Sequence, residues 1–230
     1  MRWVLQLKHV GAVSVPFTLA GCGGPLSTLT PAGPAARDIA ALWWAMLAGA
    51  GVLTVLVLVL LALAFGPPRP VRPRVWTHGL GLGLSALVLV PLLAAGLWVG
   101  ERLLPRADDA LRVQAHAVQW QWRFTQPGPD GPVTTTDRLV IPAGRPVDIE
   151  ITAGDVIHSF WVPALGGKLD AIPGRTNTLR LQAEAPGTLA GQCAEFCGLG
   201  HAVMRFEVVV VAAEDWPDAL QDENTRGPDD

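Results

Sequence analysis

Residues 39–65 read IAALWWAMLAGAGVLTVLVLVLLALAF, without one charged side chain. A run of this length exceeds the roughly 20 residues needed to cross bilayer hydrocarbon as a helix. It leaves few folds open, because only a helix satisfies every backbone group of such a segment in lipid. Trp43 and Trp44 stand toward one end, where indoles favour the interface. Residues 75–100 form a second apolar run, broken only by His78, with Pro91 as the expected kink. Between the two runs lies GPPRPVRPR, which carries Arg69, Arg72 and Arg74. Arginines stay on the cytoplasmic side, so the pattern predicts a transmembrane helical hairpin (39–65, 75–100) with both ends facing outward. Charged residues make up only 16% of the chain, below the roughly 25% of soluble domains.

The chain opens MRWVLQLKHVGAVSVPFTLAGC. A basic start, an apolar stretch and small residues before a cleavage point predict a signal peptide over residues 1–21. Cysteine directly after Leu-Ala-Gly resembles a bacterial lipobox, which would make Cys22 a diacylated N-terminus. Residues 22–38, rich in Gly and Pro, read as a linker.

From residue 101 the pattern changes to short alternating runs punctuated by turns. Leu111-Arg112-Val113-Gln114-Ala115, Val147-Asp148-Ile149-Glu150-Ile151, Thr178-Leu179-Arg180-Leu181-Gln182 and Met204-Arg205-Phe206-Glu207-Val208 alternate, with PGPDGP, PAGRP, PALGGK, IPGR and EAPG between strands. This rhythm predicts an all-β sandwich or small barrel over residues 101–218. Residues 219–230 read as a polar, disordered tail. From residue 101 onward there are eleven Lys/Arg against nineteen Asp/Glu, a net of −8. Such a surface attracts a basic partner and repels nucleic acid.

Within this domain AGQCAEFCGLGHAVM places Cys193, Cys197, His201 and Met204 inside twelve residues. An exported domain could close Cys193 and Cys197 into a disulfide, but so small a loop would constrain little chain entropy. That reading gives His201 and Met204 no role. Zinc would take Cys and His but has no use for a thioether. Methionine beside Cys and His points to copper. A mononuclear blue-copper site needs one Cys and two His. Two cysteines can instead bridge two ions, which calls for a second histidine. The domain offers His116, inside an alternating run, and His158, at a turn in GDVIHSFWVP; the turn position is the better candidate.

Residues 158–175, HSFWVPALGGKLDAIPGR, followed by residues 191–204, GQCAEFCGLGHAVM, resemble subunit II of the haem–copper oxidases of the cytochrome c oxidase type. The resemblance implies an all-β cupredoxin-like Greek-key barrel preceded by a two-helix transmembrane hairpin. It implies two copper ions, the CuA centre, bridged by Cys193 and Cys197. His158 and His201 would be terminal ligands, and Met204 and the Glu195 carbonyl weak axial donors. The Glu195 carboxylate would reach a magnesium ion shared with the catalytic subunit. Trp120, in the aromatic stretch Gln119-Trp120-Gln121-Trp122, would take up electrons from cytochrome c. Alternation places Trp120 and Trp122 on one face of a strand, where Trp122 could equally be core. Asp130, Asp137 and Asp155 are candidates for steering a basic cytochrome.

The implied function is the electron-accepting subunit of a terminal cytochrome c oxidase. It would sit in the bacterial inner membrane with the copper domain on the periplasmic side. Electrons would pass to the haem of catalytic subunit I for O2 reduction to water, coupled to proton translocation. A nitric oxide reductase subunit and a membrane-tethered copper-delivery protein are the alternatives. Two positions depart from the family pattern: Gln121 replaces an aromatic, and Pro73 replaces a glutamate at the mouth of a proton path, so that proton entry would use another group such as His78 or come wholly from the catalytic subunit. There is no Cys-x-x-Cys-His for a covalent haem.

Overall fold

The structure is a computed structural model that describes residues 23–67, 70, 72–106 and 110–225. The expected signal peptide and lipidated Cys22 lie outside the described residues, as does Arg69. The chain divides into an apolar helical unit (37–104) and a second unit that joins the N-terminal segment to residues 105–230.

In the helical unit, α1 spans Pro34–Ala64. It starts five residues earlier than the uncharged run. Proline suits a first helical position because its missing N–H would have no intrahelical partner, and Ala35 and Ala36 propagate the turn. The second span begins as a π-helix at Val75–Leu84, where glycine occupies positions 79, 81 and 83. It continues as α2, Ser85–Leu103, which contains Pro91. Both spans are long and apolar enough to cross a membrane, with mean hydropathies of 2.7 and 2.3. Their apolar side chains, Val52, Leu58, Leu89 and Leu97 among them, are exposed. Asp38 and Arg102 pair at 3.5 Å across the open end of the hairpin, and the Arg102 guanidinium also lies over the Trp98 ring.

The second unit is a β-sandwich of ten strands: β1 Leu111–Val118, β2 Gln121–Gly128, β3 Gly131–Thr136, β4 Arg138–Pro142, β5 Val147–Ala153, β6 His158–Trp161, β7 Leu169–Ala171, β8 Asn177–Leu181, β9 Gly187–Cys193 and β10 Arg205–Val211. One sheet runs β3-β2-β1-β5-β8 and the other β4-β10-β9-β6-β7. The chain crosses between sheets repeatedly, so β1 lies parallel to β5 and β4 parallel to β10. This is the cupredoxin-like Greek-key arrangement. The four alternating runs noted in the sequence fall on β1, β5, β8 and β10, with Gln182 and Met204 just outside the last two, and in β1 the inward set is Leu111, Val113, Ala115 and Ala117.

The centre of the core is aromatic. Trp122, Phe124, Phe160 and Phe206 are buried, and Phe160 stacks on Phe206 with centroids 4.9 Å apart. Asp137, at φ 52°, turns the chain from one sheet to the other. Trp122 N–H donates to Asp137 Oδ1 at 2.7 Å, and Asp137 N–H returns a bond to Trp122 O at 2.8 Å. Burial raises the Asp137 carboxyl above its ordinary range, and the Trp122 N–H offsets part of that rise. Asp137 therefore has a structural role at this turn.

Two segments differ from the sequence reading. Part of the expected linker is docked: Ala32 N–H donates to Ala164 O at 2.7 Å and Glu184 N–H to Ala32 O at 3.0 Å. A Cβ at Gly33 would stand 2.1 Å from Gln182 O, so only glycine permits that approach. The expected disordered tail begins with a helix, α3, Trp216–Thr225. Its Leu220 is fully buried, Trp216 Nε1 donates to Val140 O at 3.1 Å, and Arg138 Nε pairs with Glu223 at 2.9 Å. Two apolar anchors in a polar segment are too few for a visible periodicity, yet enough to bind one face.

Candidate metal centre

β9 and β10 are antiparallel neighbours, and the loop joining them carries the cysteine cluster. Cys193 ends β9, His201–Val203 forms a 3-10 turn, and Met204 precedes β10. The loop closes on itself through Cys193 N–H to Met204 O at 2.9 Å, and through His201 N–H to Gly198 O at 3.1 Å. Gly198 adopts φ 121°, which an L side chain resists. β6 pairs with β9 so that Phe160 stands opposite Cys193. Antiparallel register then carries His158, two residues earlier, to the mouth of the loop. The adjoining Ala194 N–H bonds to Ser159 O at 2.9 Å.

Six donors converge there. Cys193 Sγ lies 3.9 Å from His158 Nδ1 and 3.2 Å from Glu195 O. Cys197 Sγ lies 3.7 Å from His201 Nδ1 and 3.8 Å from Met204 Sδ. The two sulfurs are 3.8 Å apart and unbonded. Each thiol thus faces its own imidazole and its own additional donor. A thiolate and an imidazole sharing one tetrahedral ion stand about 3.5 Å apart, from bond lengths near 2.3 and 2.0 Å. The separations fit ions held between the donors better than a disulfide. His158, Cys193, Cys197 and Met204 are buried, while His201 is half-buried. Burial, reinforced by the neighbouring Cys193, pushes the Cys197 thiol up to about 12.

His158 is oriented from behind. Its Nε2 lies 2.9 Å from Asp155 Oδ1. Asp155 also accepts from Gln119 N–H and Val156 N–H, both at 2.7 Å. Burial opposes ionisation of Asp155, but the bonds from His158, Gln119 and Val156 outweigh it and hold the carboxyl below its usual range. Of the three acids considered for steering, Asp155 and Asp137 are engaged internally, and Asp130 accepts from Gln221 Nε2 at 3.0 Å. His116 lies elsewhere, with its Nδ1 3.0 Å from Thr152 Oγ1 on β5. The Glu195 carboxylate is about half exposed, 4.0 Å from Lys168 Nζ.

The two tryptophans part company. β2 begins at Gln121, so Trp122 points into the core while Trp120 sits in the preceding turn, 41% exposed. The Trp120 ring lies on Gly200, where a Cβ would stand 2.4 Å from it, and its Nε1 donates to Cys197 O at 3.3 Å. Around the cluster the surface is apolar: Val156, Ile157, Phe196, Leu199 and Val203 are all exposed. Sequence reasoning missed this collar and the part played by Asp155, although an acid three residues before a candidate ligand was its visible trace.

The family described as cytochrome c oxidase subunit II, periplasmic domain, matches residues 125–212. Cytochrome c oxidase subunit 2 of Branchiostoma lanceolatum is 45% identical over 179 residues, covering 66% of this chain and 71% of that protein. The subunit 2 protein of Alkalihalophilus pseudofirmus is 42% identical over 106 residues, covering 46% of this chain and 30% of that one. The crystal structure of the periplasmic domain of subunit II of cytochrome oxidase of Bradyrhizobium japonicum shares 30% identity, with a TM-score of 0.47, over 54% of this chain and 100% of that one. Against several bacterial relatives the chain spans less than two thirds of their length, from 30% to 61%.

Proposed function

The chain belongs to the cytochrome c oxidase subunit II family, and from that premise we propose that it is the electron-accepting subunit of a membrane-bound terminal oxidase. Cys193, Cys197, His158, His201, Met204 and the Glu195 carbonyl would together hold two copper ions, the CuA centre of the family. The observation that carries this reading is the pairing of donors, in which each sulfur faces a different imidazole Nδ1. Bound there, copper supplies a one-electron carrier whose charge change is spread over two ions and two sulfurs.

The residues of the chain do the rest. Trp120 presents an exposed ring at the outer face, bonded to the carbonyl of Cys197, and serves as the uptake point for electrons from cytochrome c. The apolar collar of Val156, Ile157, Phe196, Leu199 and Val203 excludes water from a docked partner. The net charge of −8 beyond residue 100 favours a basic one. Asp155 fixes the ring plane of His158. Strands β6, β9 and β10 hold the ligands on a framework that resists rearrangement, as rapid one-electron exchange requires. Glu195 would contribute to a magnesium site completed by the catalytic subunit, in which O2 would be reduced to water with proton translocation. The helical hairpin anchors the chain in the bacterial inner membrane, with the copper domain outside and Cys22 lipidated.

The test uses the full chain purified in detergent and loaded with copper. Two coppers per chain, with one unpaired electron shared equally between both nuclei in the electron paramagnetic resonance spectrum, is the expected result. One copper with a single-nucleus spectrum would sink the dinuclear assignment. Consumption of O2 against NO by the assembled complex separates an oxidase from a nitric oxide reductase.

A further inference from the structure

The turn that carries Trp120 is tied to both ligand-bearing loops by one residue that the relay itself does not use, through its backbone N–H to one loop and its side chain to the other. Gln119 N–H donates to Asp155 Oδ2 at 2.7 Å, in the loop before β6. Gln119 Nε2 donates to the Cys197 carbonyl at 2.7 Å, in the loop after β9. Trp120 Nε1 donates to the same carbonyl at a longer 3.3 Å. The loop surface is shaped to admit these side chains. A Cβ on Gly198 would stand 3.0 Å from Gln119 Nε2, as one on Gly200 would foul the Trp120 ring.

We propose that Gln119 is a positioning residue, whose amide latches the β1–β2 turn onto the ligand loop and thereby fixes Trp120 and Cys197 relative to one another. With Asp155 it closes a ring of contacts: Gln119 to Asp155, Asp155 to His158, His158 facing Cys193 at 3.9 Å, and the ligand loop back to Gln119. The backbone bonds of the loop between β9 and β10 gather at its two ends, at Cys193, Ala194 and residues 198–204, and the Gln119 amide adds a side-chain donor from a neighbouring turn at Cys197, between them. Cys197 O is the acceptor, which puts the latch four residues from His201 and on the residue that bears one sulfur. The functional meaning of the latch rests on the dinuclear copper reading; the latch itself is a property of the metal-free chain.

Gln119→Met keeps the side-chain length and the backbone N–H to Asp155 but removes the donor. Gln119→Lys restores a donor able to reach Cys197 O. Amide hydrogen exchange is followed by mass spectrometry on the full, metal-free chain. Losing one net hydrogen bond of ordinary strength accelerates exchange about fivefold. That acceleration is expected for residues 194–204 in Gln119→Met, with β10 unchanged and Gln119→Lys returning toward wild type. In the copper-loaded chain, metal release to a chelator accelerates by a similar factor at unchanged stoichiometry. Unchanged exchange of the ligand loop in Gln119→Met overturns the proposal. So does equal acceleration in β10, which would make the effect global. Failure of the wild-type chain to hold copper bears on the copper reading alone, because the exchange arm is run without metal.

Discussion

Asp155 Oδ1 lies 2.9 Å from His158 Nε2, on the ring nitrogen opposite the one that faces Cys193. A histidine that presents one nitrogen to a metal needs the other one held, and this carboxylate is placed to do so if His158 is a ligand as proposed. Asp155→Ala is expected to weaken copper binding about 10- to 100-fold, measured by competition with a chelator of known affinity. The bonds from His158, Gln119 and Val156 overcome the burial that would raise the Asp155 carboxyl, so its folded value lies below the ordinary 3.8. For a depressed acid the stabilising contribution is present above the unfolded value and disappears as pH falls through the folded one. In the metal-free chain, the Gln119 amide proton resonance should therefore show no step from Asp155 above pH 3.8. A step from the Asp155 carboxyl itself above that value, identified by its loss in Asp155→Asn, would contradict the arrangement.

Burial and the adjacent Cys193 push the Cys197 thiol up to about 12, so it stays protonated through the neutral range. The thiolate is the nucleophile, and a raised value therefore protects the site. Iodoacetamide is expected to label Cys197 in the metal-free chain far more slowly than in the denatured chain at mildly alkaline pH. The gap should narrow only as pH climbs toward 12. On the proposed copper reading, loading releases protons, because the ligating sulfurs would be thiolates. A pH-indicator titration during loading reads this directly, and no proton release would exclude thiolate ligation.

The sequence displayed the donors of the ligand loop because they are local: Cys193, Cys197, His201 and Met204 share twelve residues. It displayed four strands because their alternation survives in a half-buried sheet. Contacts set by register across distant strands were hidden. His158 reaches Cys193 because Phe160 stands opposite Cys193, and Gln119 reaches Cys197 across 78 positions of chain. Alternation misplaced Trp120, since a period of two holds only inside a strand and β2 starts one residue later. The short strands β6 and β7 have four and three residues, too few for any periodicity to register. In α3 the composition pointed the wrong way, because binding to the sandwich depends on which face Trp216 and Leu220 occupy.

That helix offers its own test. Leu220 is fully buried against the sandwich in a segment whose other side chains are mostly polar. Leu220→Ala should cost about 2 to 5 kcal/mol, the usual range for a buried leucine, read from chemical denaturation of the full chain in detergent. A disordered tail would show no change. Asp218→Ala, in the first turn of the same helix, would lose only its interaction with the helix dipole, about 0.3 to 1 kcal/mol.

Trp120 and Trp122 are two residues apart and should fail in opposite ways. Trp122 is fully buried and packs against Phe160 and Phe206 with centroids 5.5 and 5.7 Å away. Trp122→Ala should destabilise the domain by about 3 to 5 kcal/mol through the cavity it leaves. Trp120 is 41% exposed and rests on Gly200, so Trp120→Ala removes little buried surface. Its denaturation midpoint should move far less, and copper content should be retained. Electron uptake from reduced cytochrome c, followed by stopped flow, should slow at least tenfold in Trp120→Ala. Gly200→Ala should reproduce part of that slowing, because its new Cβ would stand 2.4 Å from the indole and displace it. Reduction by a small diffusible reductant should be much less affected in both variants. If Trp120→Ala instead lost copper or unfolded, the ring would be a structural prop for the ligand loop rather than the point where electrons arrive.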